Sequence, residues 1–337
     1  MDSITHVVFG AVTGSALVGK KLGKKAMLWG ALANSIPDID VATRFWMNDP
    51  DAILAHRGFT HSILFAFILS PILSWLFTKY NKNKGMLFRD WMKIFLSGML
   101  LHIFFDSMTS YGTGLFEPFS HARISFNNIF VADPFFTIGF LVAFVALLII
   151  NKNSVRRIFW MRFGILCGAL YLCYTVFNKY KADTSFKQFF ASKNISTQTY
   201  FCAPAPLNNW LWMGLAKDHD SIYVCYHSSF DKQPIQFYHA APVNDSLLSA
   251  VRYDKNVQTI IRLSQGYYTV EKVNDTLLFS DTRFGLLNGW TRNDELPKFV
   301  FRFDIFRRND SLLVSQSKMP DIDGHAFRLL YERIKGE

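Results

Sequence analysis

The 337 residues are enough for one membrane domain and one soluble domain. Half of them are apolar, 34 are Phe, and the formal charge is +10. The basic residues gather between apolar blocks, a pattern that the positive-inside rule for membrane loops explains better than nucleic-acid binding does.

A spanning helix needs roughly 20 apolar residues. The first two apolar stretches, Ile4–Gly19 and Ala26–Ile36, fall short and read as short spans or a re-entrant hairpin turning at Lys20, Lys21, Lys24 and Lys25. Four longer blocks follow: Ser62–Phe77, Ile94–Ser110, Phe135–Ile150 and Ile158–Phe177. Between them lie the clumps Lys79, Lys82, Lys84, Arg89, Lys93 and Lys152, Arg156, Arg157, Arg162. With all three clumps in the cytosol, Asn34–Thr60, Tyr111–Asp133 and everything after Lys179 lie outside. The Met-Asp start lacks the positive n-region of a signal peptide, which predicts a retained first helix.

After Lys179 the pattern changes. Trp210–Leu215, Ser221–Tyr226, Gly266–Val270 and Lys298–Asp304 alternate or carry β-formers, and Asn274-Asp275 and Asn309-Asp310 are turn signals. Asp323–Ile334 reads as a closing helix. Cys167 and Cys173 sit in an apolar block. Cys202 and Cys225 fall outside the cytosol, where a disulfide between them is an open option. The expected fold is an α-helical polytopic membrane domain, residues 1–179, followed by a mostly-β extracytoplasmic domain, residues 180–337. The tail shows no catalytic set; His219, His227 and His239 read as surface or packing residues, and its protein partner, if it has one, is not legible.

The chemistry lies in the His and Asp residues. Asp2 and His6 are four apart, as are His102 and Asp106, so each pair shares a helical face. Asp38 and Asp40 sit in Ile-Pro-Asp-Ile-Asp, His56 and His61 in His-Arg-Gly-Phe-Thr-His, and Asp133 precedes Pro134. The topology puts all of them near the outer face. An ionisable pair such as His102 and Asp106 inside an apolar span is expensive unless ligated or paired. Imidazole and carboxylate together suit zinc, and the donors outnumber what one ion uses. Taken singly, Asp2, Asp40 and Asp133 read as helix caps or turn residues.

Met-Asp-Ser-Ile-Thr-His, Ile-Pro-Asp-Ile-Asp, His56-Arg-Gly-Phe-Thr-His61-Ser and His102-Ile-Phe-Phe-Asp106-Ser-Met-Thr-Ser-Tyr-Gly-Thr resemble the YdjM-type family of inner-membrane metal-dependent hydrolases. So do Glu117-Pro-Phe-Ser, Arg123 and Asp133-Pro134; the likeness covers roughly residues 1–150. Ser280-Asp-Thr-Arg-Phe-Gly285 is similar to a motif of longer members. A remoter likeness, carried by His102-x-x-x-Asp106, is to zinc-dependent phospholipase C and fungal single-strand nucleases. The resemblance implies hydrolysis at a zinc cluster.

The expected ligands are His6, Asp38, His56, His61, His102 and Asp106, with Asp2 added, holding more than one zinc or other divalent ion. Asp40 or Asp133 would take a proton. Arg57 and Arg123 would hold phosphate oxygens, and backbone N–H groups of Ser110–Gly114 would face an anion. The substrate expected is a membrane lipid or lipid-linked phosphate entering from the outer leaflet of the inner membrane, with no nucleic-acid partner. Two rivals remain at this stage. A metal transporter would need ligands near mid-membrane and a route to the cytosol. A tail that binds a partner while the helices only anchor it would leave the His and Asp residues unexplained.

Overall fold

The computed structural model describes residues 1–80, 85–290, 298–309, 311–318 and 324–336. Lys82, Lys84, Asp310 and Asp323 of the sequence reading lie outside the described residues. The chain divides into two compact units. The first holds Met1–Thr43, Ala55–Val176 and Pro206–Asn208; the second holds Arg44–Leu54, Phe177–Ala205 and Asn209–Glu337.

The first unit is helical. Helices α1 (Ser3–Leu22) and α2 (Lys25–Ser35) form a hairpin, and a 3-10 segment, Pro37–Phe45, follows. After the short α3 (Asp49–Ala55), which belongs to the second unit up to Leu54, come α4 (Ile63–Tyr80), α5 (Phe88–Ser107), α6 (Pro134–Ile149) and the long α7 (Arg156–Ser192). Small residues let α1, α2 and α5 approach closely. A Cβ on Gly30 would lie 2.1 Å from the Gly10 carbonyl oxygen, and one on Gly98 would lie 2.8 Å from the Ala33 Cβ. Such contacts are how helices pack where lipid offers no hydrophobic drive.

Among the described residues two helices, α4 and α7, are long and apolar enough to cross a membrane, and α6 is a shorter apolar helix. Helices stand at the four longer apolar blocks and at the two short ones, while spanning length is met by α4 and α7 among the described residues. α4 is inverted relative to a soluble-protein helix: it buries Ala66, Ser70 and Ser74 and exposes Phe67, Ile68, Ile72 and Trp75. Large apolar side chains facing out around small buried ones suit a lipid environment.

The basic clumps meet at one end of this unit. Lys21 pairs with Asp90, Lys24 donates to the Leu148 carbonyl, and Gly23 lies against Lys152. Arg157 is not a free surface charge. It is buried, donating to the Leu147 carbonyl at 2.6 Å, the Ile150 carbonyl at 3.2 Å and the Ser15 hydroxyl at 3.2 Å, and so closes the end of α6.

The second unit begins inside α7, which runs past the 179–180 boundary to Ser192. Strands β1 (Thr199–Pro204), β2 (Leu211–Asp218), β3 (Ser221–Ser228) and β4 (His239–Pro242) form an antiparallel sheet in that order. Helix α8 (Lys255–Leu263) leads to a second such sheet of β5 (Tyr268–Val273), β6 (Thr276–Leu286), β7 (Phe299–Arg308) and β8 (Ser311–Gln316), and α9 (Gly324–Ile334) closes the chain. Strand alternation gives each sheet two faces. Leu211, Met213 and Leu215 of β2 join Phe299, Phe301 and Phe303 of β7 in one core. Trp212 and Ala216 turn the other way, against Phe186 and Phe190 of α7. The segment Arg44–Leu54 belongs here because Asp51 pairs with Lys255 at 2.9 Å and Asp49 accepts from the Gln316 N–H at 3.0 Å.

The disulfide option fails. Cys202 of β1 and Cys225 of β3 are both free thiols, and both lie opposite Gly214 of the intervening strand. Strands two apart stand roughly 9–10 Å from each other, beyond the ~7 Å that a disulfide tolerates between Cα atoms. Arg283 and Asp281 of Ser280–Gly285 form a buried ion pair at 2.6 Å, so this motif holds a strand end together.

Gly30→Ala tests the helical packing. The new Cβ meets backbone, which cannot swing aside. The variant should lose about 1–3 kcal/mol of stability, read as an earlier unfolding midpoint in detergent.

Candidate metal centre

Four elements bring their polar residues to one end of the helical unit, opposite the basic end. α1 starts there with His6, and α5 finishes there with His102 and Asp106. α2 ends there, followed by Asp38 and Asp40 in the 3-10 segment, and the loop carrying His56 and His61 leads into α4.

Asp38, His61, His102 and Asp106 each offer a donor atom within 4.8 Å of the others. His61 Nε2 lies 3.0 Å from His102 Nε2, 3.5 Å from Asp38 Oδ1 and 3.3 Å from Asp106 Oδ2. His102 Nε2 lies 3.5 Å from Asp38 Oδ1 and 3.6 Å from Asp106 Oδ2. Ligands about 2.0–2.1 Å from a tetrahedral centre stand roughly 3.3–3.4 Å apart. The measured edges scatter around that length, so the four donors fit a zinc-sized ion.

A second observation agrees. Asp106 Oδ2 is buried and makes no hydrogen bond. Arg57 Nε lies 3.0 Å away but outside hydrogen-bonding geometry. Arg57 thus supplies charge but no hydrogen bond, and the oxygen can still meet a cation on the side of His61 and His102. The other oxygen, Oδ1, is met by His6 Nε2 at 3.1 Å and by the Met1 amino nitrogen.

A second group shares Asp38. Asp38, Asp40 and His56 also place donor atoms within 4.8 Å of one another, and here Asp38 and His56 are partly exposed. Asp40 organises the loop. Its Oδ1 is 2.8 Å from His56 Nδ1, while its Oδ2 accepts from the Arg57 N–H at 3.1 Å and the Thr60 hydroxyl at 2.5 Å, and lies 3.1 Å from His61 Nδ1.

Charge is balanced by protons where no metal sits. Burial disfavours a charged His61, but the nearby carboxylates of Asp106, Asp38 and Asp40 outweigh it and push the imidazole up to about 10. Burial likewise opposes ionised Asp38 and Asp40, but their histidine partners hold both below the usual carboxylate range. Two imidazole nitrogens 3.0 Å apart need a proton or a cation between them.

Other expected residues are placed elsewhere. Asp2 caps α1, accepting from the Thr5 N–H at 3.0 Å, and Asp133 caps α6, accepting from the Phe135 N–H at 2.9 Å and the Tyr171 hydroxyl at 2.8 Å. Burial holds the Asp133 carboxyl above the ordinary value. Neither joins the two donor groups. His6 is outside both as well; its ring stacks on His102 with centroids 3.8 Å apart.

Arg57 and Arg123 hold protein oxygens. Arg57, at φ +62°, donates to the Thr109 hydroxyl at 2.6 Å and stands over the Tyr111 ring. Arg123 donates to the carbonyls of His56, Arg57 and Gly112 at 3.1, 3.3 and 3.4 Å. Of the N–H groups expected to face an anion, those of Thr113 and Gly114 are engaged, with the carbonyls of Ile124 and Arg57. Sequence reasoning missed Asn34, Thr60 and Thr109. Only Asn34 left a trace, as an amide in an apolar helix just ahead of Ile-Pro-Asp-Ile-Asp.

The family model described as YdjM inner membrane protein matches residues 1–182, more than half of the chain. The chain belongs to the YdjM inner membrane protein family. It is similar to "Uncharacterized protein YfhP" of Bacillus subtilis (strain 168), 35% identical over 153 residues, 42% of this chain and 45% of that protein. It is also similar to "Inner membrane protein YbcI" of Escherichia coli (strain K12), 31% identical over 112 residues, 33% of this chain and 63% of that protein. The chain thus spans less than two thirds of the length of either relative. No solved structure matches. The donor groups all lie within the stretch that defines the family.

His102→Ala and Asp106→Ala should each remove bound metal, whereas His227→Ala, in the second unit, should not. Elemental mass spectrometry of the purified variants reads this out, and equal stoichiometry in all three would reject the site. Metal-free protein should also lose stability as pH rises from 7 towards 10. The raised His61 pKa contributes stability that is complete below its unfolded value and disappears as pH passes about 10. Zinc replaces that proton, so melting curves of the loaded protein should show a smaller decline.

Proposed function

We propose that this chain is a metal-dependent hydrolase of the inner membrane that cleaves a phosphoester in a lipid or lipid-linked substrate. One observation carries the reading: a mostly buried group of four donors shares Asp38 with a partly exposed group of three. A structural ion is closed by four protein ligands, whereas a catalytic one keeps a place for water. Asp38, His61, His102 and Asp106 would hold the first ion, and Asp38, Asp40 and His56 the second. Zinc suits both sets, and a divalent ion there supplies Lewis-acid charge that brings the pKa of water from about 15.7 towards 7.

The chain's own residues prepare the site. Asp40 fixes the loop that carries both histidines, and Arg57 and Arg123 hold that loop from either side. The role first expected of the two arginines, clamping phosphate, becomes a positioning role. The lipid-facing surface of α4, which follows His61 directly, favours a substrate that arrives from the membrane.

The orientation belongs to the same proposal. Basic residues at the opposite end from the donors support a cytosolic basic end and a periplasmic or exterior site. The helices would then pass the membrane several times, with the β-rich unit on the outer side. Alkaline phosphatase fused after Gly336 should be active, and fused at Gly85 inactive; the reverse pattern overturns the topology.

Catalysis is tested by stripping metal from detergent-purified protein and adding zinc back. Hydrolysis of phospholipids or isoprenoid phosphates should vanish and return. His56→Ala should lower the rate on the order of 100-fold or more while the buried ion stays bound. Fully loaded protein that cleaves nothing across a broad phosphoester panel would leave the closed group as a structural metal site instead.

A further inference from the structure

His6 entered as an expected ligand, and its neighbours argue otherwise. Asn34, buried at the end of α2, bonds to both His6 and His102. Its amide nitrogen is 2.7 Å from the His6 carbonyl oxygen. That oxygen can only accept, so the Asn34 atom facing it must be the NH2 group rather than the amide oxygen. The same NH2 lies 3.3 Å from His6 Nδ1. Nδ1 therefore accepts, and the proton of a neutral His6 is on Nε2, which donates to Asp106 Oδ1 at 3.1 Å. His102 is set the other way. Its Nδ1 lies 2.5 Å from the backbone carbonyl oxygen of Asn34, again an obligate acceptor, so Nδ1 carries the proton and Nε2 keeps its lone pair for the donor group.

We propose that Asn34 fixes the two stacked imidazoles in opposite tautomers, making His102 a metal ligand through Nε2 and His6 a positioning residue that holds Asp106 through Oδ1. Both lone-pair sites of His6 are then unavailable: Nδ1 faces the Asn34 amide and Nε2 bears the proton. The division also explains the two oxygens of Asp106. Oδ1 is held by donors, and Oδ2, which makes no hydrogen bond, is the oxygen turned to the cluster. The ligand half of this assignment rests on the metal reading above; the tautomer half does not.

The test begins with metal-free wild-type protein carrying 15N-labelled histidine, with His6→Gln and His102→Gln used to assign the resonances. His6 should show a bare Nδ1 and a protonated Nε2, and His102 the opposite. A protonated Nδ1 on His6 overturns the proposal whether or not metal binds. In Asn34→Asp the new carboxylate accepts, so His6 Nδ1 should become protonated while Nε2 keeps its proton for Asp106; an Nδ1 that stays bare overturns the role of Asn34. Zinc affinity measured by chelator competition should fall about 10- to 100-fold in Asn34→Asp and His6→Gln, with full stoichiometry at saturation. Cobalt loaded into His6→Gln should keep the visible absorption bands of the wild type. A changed band pattern or a lost ion would make His6 a ligand and overturn the assignment. If wild type takes up neither zinc nor cobalt, the metal reading fails while the tautomer result stands separately.

Discussion

Burying the carboxylate of Asp106 is the constraint from which the helical unit follows. An ionised carboxylate taken from water costs several kcal/mol even after relaxation. Three cationic or donor groups come to it: Arg57, His6 and the Met1 amino nitrogen. Each needs its own support. Arg57 reaches Asp106 from a backbone in the left-handed region, which residues other than glycine seldom adopt. Asp40 and Arg123 hold that loop, one by its N–H, the other by its carbonyl. Even so, Oδ2 is left without a hydrogen bond. A fold that assembles this much around one carboxylate, and still leaves Oδ2 without a hydrogen bond, could take a further cation there.

The close helix contacts serve the same end. His6 and His102 are on different helices, and both depend on one residue of a third. Gly30 lets α1 and α2 touch, and Gly98 brings α5 to Ala33 and the Asn34 backbone. With bulkier residues, Asn34 could not meet His6 with its side chain and His102 with its carbonyl. Packing thus determines the direction of hydrogen bonds, and these decide which imidazole nitrogens remain free.

Much of this was legible in the sequence, for definite reasons. Apolar blocks marked six helices because hydrophobic runs bounded by charge leave little choice of structure. His102 and Asp106 stood out because they contradict their apolar surroundings. What was not legible depended on neighbours distant in sequence. Arg57 and Arg123 look alike whether they face a substrate or a backbone carbonyl. Asn34 is an ordinary residue near a helix end until two histidines are placed against it. Nothing in the spacing of Cys202 and Cys225 tells that a strand separates them, and nothing in Arg44–Leu54 shows that it packs with the second unit. Asp2 and Asp133 show the opposite case. The bland reading of each as a helix cap is the one that the hydrogen bonds describe.

The two donor groups differ in exposure, and that difference bears on how the site works. His61, His102 and Asp106 are buried, so an ion among them would exchange slowly and be held by all four donors. Asp40 is buried too, but its partners Asp38 and His56 reach towards solvent. Asp38 belongs to both groups, and His61 touches Asp40 through Nδ1 while facing the first group through Nε2. A change of charge in one group is therefore felt in the other through a carboxylate and an imidazole, with no water between. Filling the closed group would replace the His61 proton, fix Asp38 in place, and so preset the more open group. The two groups are thus coupled, and an ion in the first would hold the second in shape.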